Sequence, residues 1–495
     1  MNRINTNIAA FMAHRSLNMH NERMYASLRN LSTGLRVESA KDDPAGLVAS
    51  NQMRSEIVGI NAAMNSISRG EQIISTAEGA IAEINELLLE MQGMITESAN
   101  QGGLGDQERT ATQQDIDMIL ESIDRIATGT EFGGTKLLNG GLDYETRGSE
   151  LNRFDWVHVN SARLGTTGAP LDVHTDILVE AEQAEAAITL DGAGVFSTSM
   201  GLTVSFEITG PEGVQQFTFA DGTNKLDMEA AISTFADELG IEVDLSSNDE
   251  LIIRSRDYGS DQMVNVRVTE ANGQDANGSG FVKAFNGTQW TVEADNEHTD
   301  NGVDAQVLIN GQMASVQGLV ARVVANGFDL EVRIAEEFNT TSGFNFQIVS
   351  GGAFFDVAAG VSRSDLATLG IRSMSTGSIG GIDGVLDEIR SGGSAAIADG
   401  DLLKAERIVD AALEEVASIQ GRLGSFMRFT LESSRNTLGE TLEQVTAAES
   451  SIRDADLAWE TAALARHQIL SQSAMQALSL ANSQPMQILS LLGSA

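Results

Sequence analysis

The sequence predicts an α+β protein. Long N- and C-terminal helices form a coiled-coil or helical bundle, and a β-rich insertion of one or two small domains lies between them. Three observations predict this. Proline is confined to Pro44, Pro170, Pro211 and Pro485, so little interrupts a helix by removing a backbone donor. Near both ends apolar residues recur every seven positions. In the middle the period drops to two, and turn residues separate short β-branched runs.

At the N-terminus Leu17, Met24 and Leu31 lie seven apart, with Leu28 and Leu35 four after the last two. The stretch LSTGLRVESAKDDPAGLV (31–48) follows. Its polar density resembles an active-site loop, but helix chemistry accounts for it. Gly34 takes the left-handed turn that ends one helix. Asp43 at the N-cap and Pro44 at the first turn begin the next, and Asp42 adds charge at its positive end. Adjacent carboxylates with no nearby His or third acid make a weak acid–base or metal site.

After Pro44, Met53, Ile60, Ile67, Ile74, Ile81, Leu88 and Ile95 keep a strict seven-residue step. The second seam position lies four residues later at Ile57 and Met64 and meets Glu71 and Glu78. From Ile84 and Met91 it lies three later, so the stripe is read as changing lean around 70–80. A helix over 44–99 is about 80 Å long and must be covered by another. A shorter one fits 106–128, with Ile116, Ile119, Ile123 and Ile126 on one face, after a Gly102-Gly103-Leu104-Gly105 turn. Leu402, Ala405, Val409, Ala412, Val416, Ile419, Leu423 and Phe426 alternate three and four apart. The row then slips by one residue and resumes at Leu431, Leu438, Val445, Ile452 and Trp459. A bundle of 44–99, 106–128 and 402–452 is expected, held by Ile60, Ile67, Ile74, Ile81, Val409, Val416 and Leu423. Leu457, Leu464 and Leu478 continue the step at the C-terminus, with Ser471 as a gap. The terminal stripes can cover one another within a chain, and any apolar stripe left over needs other copies.

In the middle, LTVSFEITG (202–210), ELIIRSR (250–256), MVNVRV (263–268) and FDLEVRIAEE (328–337) alternate, and residues 227–239 read as one helix. The expected domains are 1–40 with 456–495, 41–145 with 376–455, and 146–375, the last as modules at about 184–270 and 285–350.

The composition narrows function. The net charge of −39 and pI near 4.3 argue against nucleic acid or an anionic membrane as partner. The charge is concentrated: residues 141–380 carry 12 Lys+Arg against 36 Asp+Glu. The absence of Cys removes disulfides, Cys-ligated metals and thiol nucleophiles. No apolar run reaches a membrane span, and six apolar residues at Ile8–Ala13 without a cleavage signal do not make an ordinary secretory peptide. None of the six His lies in H-E-x-x-H, and FGGTKLL (132–138) has the wrong spacing for a phosphate loop. The expectation is a chain with no catalytic, cofactor-binding or metal-binding residues.

Three stretches carry a family resemblance: INTNIAAFMAHRSL (4–17), NLSTGLRVESAKDDPAGL (30–47) and SSIRDADLAWETAALARHQILSQSAMQALSLANSQPMQILSLL (450–492). The chain resembles bacterial flagellin over roughly 1–140 and 375–495. The resemblance implies a non-enzymatic structural subunit, located outside the cell, that self-assembles into a helical filament for swimming. It implies that the terminal helices form the filament core through Ile4, Ile8, Phe11, Leu17, Leu28, Leu31, Leu457, Leu464, Ile469, Leu478, Ile488 and Leu489. The joint at Gly34, Asp42, Asp43 and Pro44 then becomes a spoke to the surrounding bundle. Implied partners are other copies, hook-associated junction and cap proteins, an export chaperone on the C-terminal segment, the flagellar type III export apparatus and host immune receptors. Against the plant-type epitope in 29–50 the chain departs at Leu35, Glu38 and Pro44. Where many members carry the animal-receptor motif it reads Leu89-Glu90-Met91-Gln92-Gly93-Met94, with both Arg positions lost. The alternatives are a hook–filament junction protein, a filament-displayed adhesin, and a filament-displayed enzyme.

Overall fold

A computed structural model describes residues 6–99, 105–164, 169–190, 195–196, 203–245, 250–270, 281–285, 290–293, 296–325, 328–360, 366–397 and 401–492. Its helices are α1 (Ile8–Thr33), α2 (Pro44–Ser98), α3 (Asp106–Gly129), α4 (Lys225–Ser233), α5 (Ala236–Leu239), α6 (Leu402–Phe426), α7 (Ser433–Arg453) and α8 (Leu457–Leu492). None of the described helices is long and apolar enough to cross a membrane. Two compact units result. One comprises Met1–Gly70, Asp356–Leu366 and Arg428–Ala495, the other Glu71–Phe355 and Ala367–Met427.

The first unit holds α1, the start of α2, α7 and α8. Helix α1 stops because Gly34 adopts φ +73° and its N–H returns to the Asn30 carbonyl at 2.8 Å. Helix α2 starts because the Asp43 carboxylate accepts the Gly46 N–H at 2.9 Å, meeting one of the orphan donors of the first turn. Gly46 leaves room for this cap, since a Cβ there would lie 2.5 Å from Asp43 Oδ2.

In the second unit the buried row of α2 runs Ile74, Ala77, Ile81, Ile84, Leu88, Met91 and Ile95. Its second seam position lies three residues after the first throughout, as it does earlier in the helix at Ala63 and Gly70. The expected change of lean is therefore absent: Glu71 and Glu78 are only partly buried, and Ala and Gly fill the seam instead. These small residues are buried for all their lack of bulk, a signal invisible to a search for large apolar side chains. Helix α6 buries Ala405, Ile408, Val409, Ala412, Val416, Ile419 and Leu423, and α3 buries Ile116, Ile119, Leu120 and Ile123. The one-residue slip after Phe426 coincides with a π-helical turn at Met427–Glu432, the geometry that accommodates one extra residue in a helix. Residues 102–104 of the expected turn before α3 lie outside the described residues.

Two β cores complete this unit. In one, the five-stranded sheet is ordered Gln312–Met313, Gln306–Ile309, Leu171–Val179, Gly343–Gly351, Tyr144–Arg147. Its four-stranded companion is ordered Ser315–Gln317, Val320–Ala325, Phe328–Ile334, Phe154–Ala162. Strand Gly343–Gly351 shows why a sheet forms: Phe344, Phe346 and Ile348 point inward, while Asn345 and Gln347 face water, the period of a half-buried strand. The other core packs Phe196, Phe206, Phe281 and Ile253 among strands between residues 185 and 301 and the short helices α4 and α5. The cores are nested. The first is built from 144–181 and 305–348, and the second is inserted between those segments. The sequence expectation began a module at about 285, whereas Val282–Phe285, Trp290–Val292 and Glu297–Asn301 pair into the inserted core. Alternation locates a strand but carries no information on so distant a partner.

Candidate self-association surface

Helices α1 and α8 pack side by side along their length. The most buried residues at their seam are small or polar, and Leu17, Met24, Leu31, Leu464 and Leu478 are partly buried on the same faces. Ser27, Glu460, Ser471, Ala474 and Ala481 are the most buried. Polar contacts cross at intervals. Asn7 Nδ2 donates to the Ala481 carbonyl at 2.7 Å, and Ser471 Oγ donates to Asn21 Oδ1 at 2.7 Å. Asn30 Nδ2 donates to Glu460 Oε1 at 2.9 Å. The rings of His20 and His467 lie 5.8 Å apart. Burial and the nearby Arg23, His20 and Arg466 lower the His467 pKa. These polar rungs match antiparallel partners at one register.

Other large apolar side chains lie on the outward faces. On α1, Ile8 is 59 % exposed and Phe11 74 %, and Met12, Tyr25 and Leu28 are also exposed. On α8, Trp459 is 66 % exposed and Ile469 64 %, with Leu457, Met475 and Leu480 alongside. In a self-sufficient helix pair the apolar stripe faces the partner; here further apolar rows are left outside the pair. Single exposed apolar residues are ordinary, but rows of them along two helices mark a surface to be covered.

The sequence-selected residues divide accordingly. Ile8, Phe11, Leu28, Leu457 and Ile469 are outward, while Leu17, Leu31, Leu464 and Leu478 are partly buried. Ile4 and the side chains of Ile488 and Leu489 lie outside the described residues. Ile60, Ile67, Ile74, Ile81, Val409, Val416 and Leu423 are all buried. Sequence reasoning missed Met12, Tyr25, Met475 and Leu480. A helical wheel scored for two apolar faces, instead of one heptad row, could have found them.

The 31–48 stretch is tied to the α7–α8 connection. Leu35 and Asp454 form an antiparallel bridge. The Arg36 N–H donates to the Arg453 carbonyl at 2.7 Å, and the Ala455 N–H donates to the Gly34 carbonyl at 2.9 Å. The Ser39 hydroxyl and amide both donate to Asp42 Oδ2. With Arg29 adding at 3.2 Å, they hold the Asp42 carboxyl below its ordinary range. Arg29 also pairs with Glu38 at 3.1 Å. Each carboxylate of the Asp42–Asp43 pair is thus engaged in shaping the turn: Asp42 closes it and Asp43 caps α2. Glu449 on α7 accepts from Ser50 at 2.9 Å and from Arg54 at 3.1 Å, fastening the start of α2. Among the described residues no group of three or more His, Asp or Glu could hold a metal ion.

Comparison with known proteins gives this surface its context. The family model for the bacterial flagellin N-terminal helical region matches residues 4–142, and that for the C-terminal helical region matches 407–492. The chain is 26% identical to a flagellin of Salmonella typhimurium and 28% identical to flagellin D of Vibrio anguillarum, in each case over 99% of both chains. Polar flagellin F of Vibrio parahaemolyticus is 41% identical over 28% of this chain and 36% of its own. Among solved structures, the flagellar junction protein FlgL from Legionella pneumophila is 12% identical with a TM-score of 0.28, covering 82% of this chain and 99% of that one. Both family regions fall on the helical ends, where the outward apolar rows lie, and the full-length relatives span the middle as well. The chain belongs to the bacterial flagellins.

Proposed function

We propose that this flagellin polymerises by burying the outward apolar rows of α1 and α8 between copies. Membership of the family makes the chain a structural subunit of the extracellular flagellar filament, which serves swimming motility. The carrying observation is the uncovered apolar rows: Ile8, Phe11, Met12, Tyr25 and Leu28 on α1 and Leu457, Trp459, Ile469, Met475 and Leu480 on α8 remain exposed after the two helices have paired. The chain itself carries no catalytic activity. In support, the carboxylates that most resemble a site are engaged in a turn and a helix cap. Residues Gly34, Asp42, Asp43 and Pro44 act as the spoke between the terminal helices and the bundle. Junction and cap proteins, an export chaperone on the C-terminal segment and the type III export apparatus are the proposed further partners.

Phe11→Glu and Ile469→Glu test the proposal. Both side chains are mostly exposed in the single chain, so the circular dichroism melt of the soluble subunit should be unchanged. Burying each between copies contributes roughly 1.5–3 kcal/mol, so the critical concentration for seeded polymerisation should rise at least about tenfold. Wild-type-like elongation by both variants would refute the assigned surface. Leu478→Glu is a less clean probe, because Leu478 is partly buried within the chain.

A further inference from the structure

Pro485 lies well inside α8, four residues after Ala481. A proline has no N–H, so the Ala481 carbonyl loses the donor that helix geometry would bring to it. An unpaired buried carbonyl is costly, and Ala481 is among the most buried residues of α8. The missing donor comes from the other end of the chain: Asn7 Nδ2 lies 2.7 Å from the Ala481 oxygen. The same amide caps α1, its Oδ1 accepting the Ala10 N–H at 3.0 Å. The two contacts fix the amide orientation, because only the oxygen can accept from Ala10 and only the nitrogen can donate to Ala481.

We propose that Asn7 and Pro485 form a register lock between the two chain ends. Pro485 strips Ala481 of its helical donor, and Asn7 supplies a replacement only when α1 and α8 dock in one register. A shift along the seam would leave that carbonyl unpaired and would also part Asn21 from Ser471 and Asn30 from Glu460. A buried polar group that specifies helix pairing in this way has precedent in coiled coils. The inference rests on the filament reading for its role in assembly, where copies must present identical outer faces.

A four-variant cycle on the full-length chain tests it: wild type, Asn7→Asp, Pro485→Ala and the double variant. Aspartate keeps the cap on α1, being as good an N-cap as asparagine, but it cannot donate to Ala481. In the Pro485 background, Asn7→Asp should raise the critical concentration for seeded elongation about tenfold, the scale of one orphaned buried acceptor. In the Pro485→Ala background the restored N–H serves Ala481, and the same substitution should cost less than about twofold. Equal cost in both backgrounds, or no cost in either, overturns the lock. If the wild type fails to elongate seeds, the filament reading fails instead. The cycle is then read from amide exchange of α1 and α8 in the soluble chain. There the same loss and rescue of protection is expected, and equal protection in all four chains overturns the lock.

Discussion

The seam between α1 and α8 shows how single residues tune a contact between chain ends. His467 is held toward its neutral form, chiefly by burial and then by Arg23, His20 and Arg466. Its pKa in the paired helices is below the ordinary 6.5, so the unpaired state binds the proton more readily. The stabilisation is therefore present above about pH 6.5 and is lost as pH falls through the lowered value. Acidification below pH 6.5 should weaken the helix pairing, and His467→Gln should flatten that dependence. Critical concentrations measured between pH 7.5 and 5 check this, and an unchanged slope in the variant would contradict it. The joint residues were legible in the sequence for a physical reason: caps are local, and Gly34, Asp43 and Pro44 each declare a backbone conformation within one turn. The outward rows were less legible, because Met12, Tyr25 and Met475 belong to faces that no partner within the chain explains.

At the scale of elements, helix α2 separates what periodicity reveals from what it hides. Ile60 to Ile95 announced one edge of the seam through large side chains at seven-residue spacing. The other edge was misread, because Ala63, Gly70 and Ala77 contribute through lack of bulk. Ala77→Leu should therefore destabilise the second unit by about 1–3 kcal/mol, the usual cost of overpacking a filled core. Denaturant unfolding of the soluble chain measures it, and a midpoint equal to wild type would show that the seam has room. The slip after Phe426 was visible as an offset of one residue in the apolar row, and the π turn at Met427–Glu432 is its structural form. In the β region, alternation marked the strands. Pairing Phe154–Ala162 with Phe328–Ile334 spans more than 160 residues of chain, and no local pattern encodes it.

At the scale of the whole molecule, charge and topology combine. The inserted core leaves and re-enters the chain at adjacent points: Glu182 and Val303 form an antiparallel bridge, exchanging N–H to carbonyl bonds of 2.8 and 2.9 Å. Residues 183–302 carry 21 Asp+Glu against 5 Lys+Arg. Excising them with a short linker from Glu182 to Val303 should preserve the outer core of 144–181 and 305–348, whose cluster draws none of its buried apolar residues from the removed segment. It should also change assembly in a defined way. Polymerisation gathers many acidic segments, and their mutual repulsion opposes it. Salt shortens the range of that repulsion from about 30 Å at 0.01 M to about 8 Å at 0.15 M. The full-length critical concentration should therefore fall steeply over that interval. The excised chain, relieved of 16 net negative charges, should assemble more readily at low salt and respond less to added salt. Seeded elongation of both chains across the salt series decides the matter. If the two slopes coincide, the inserted core's charge stands too far from its neighbours to oppose assembly, and repulsion must be sought in the helical ends.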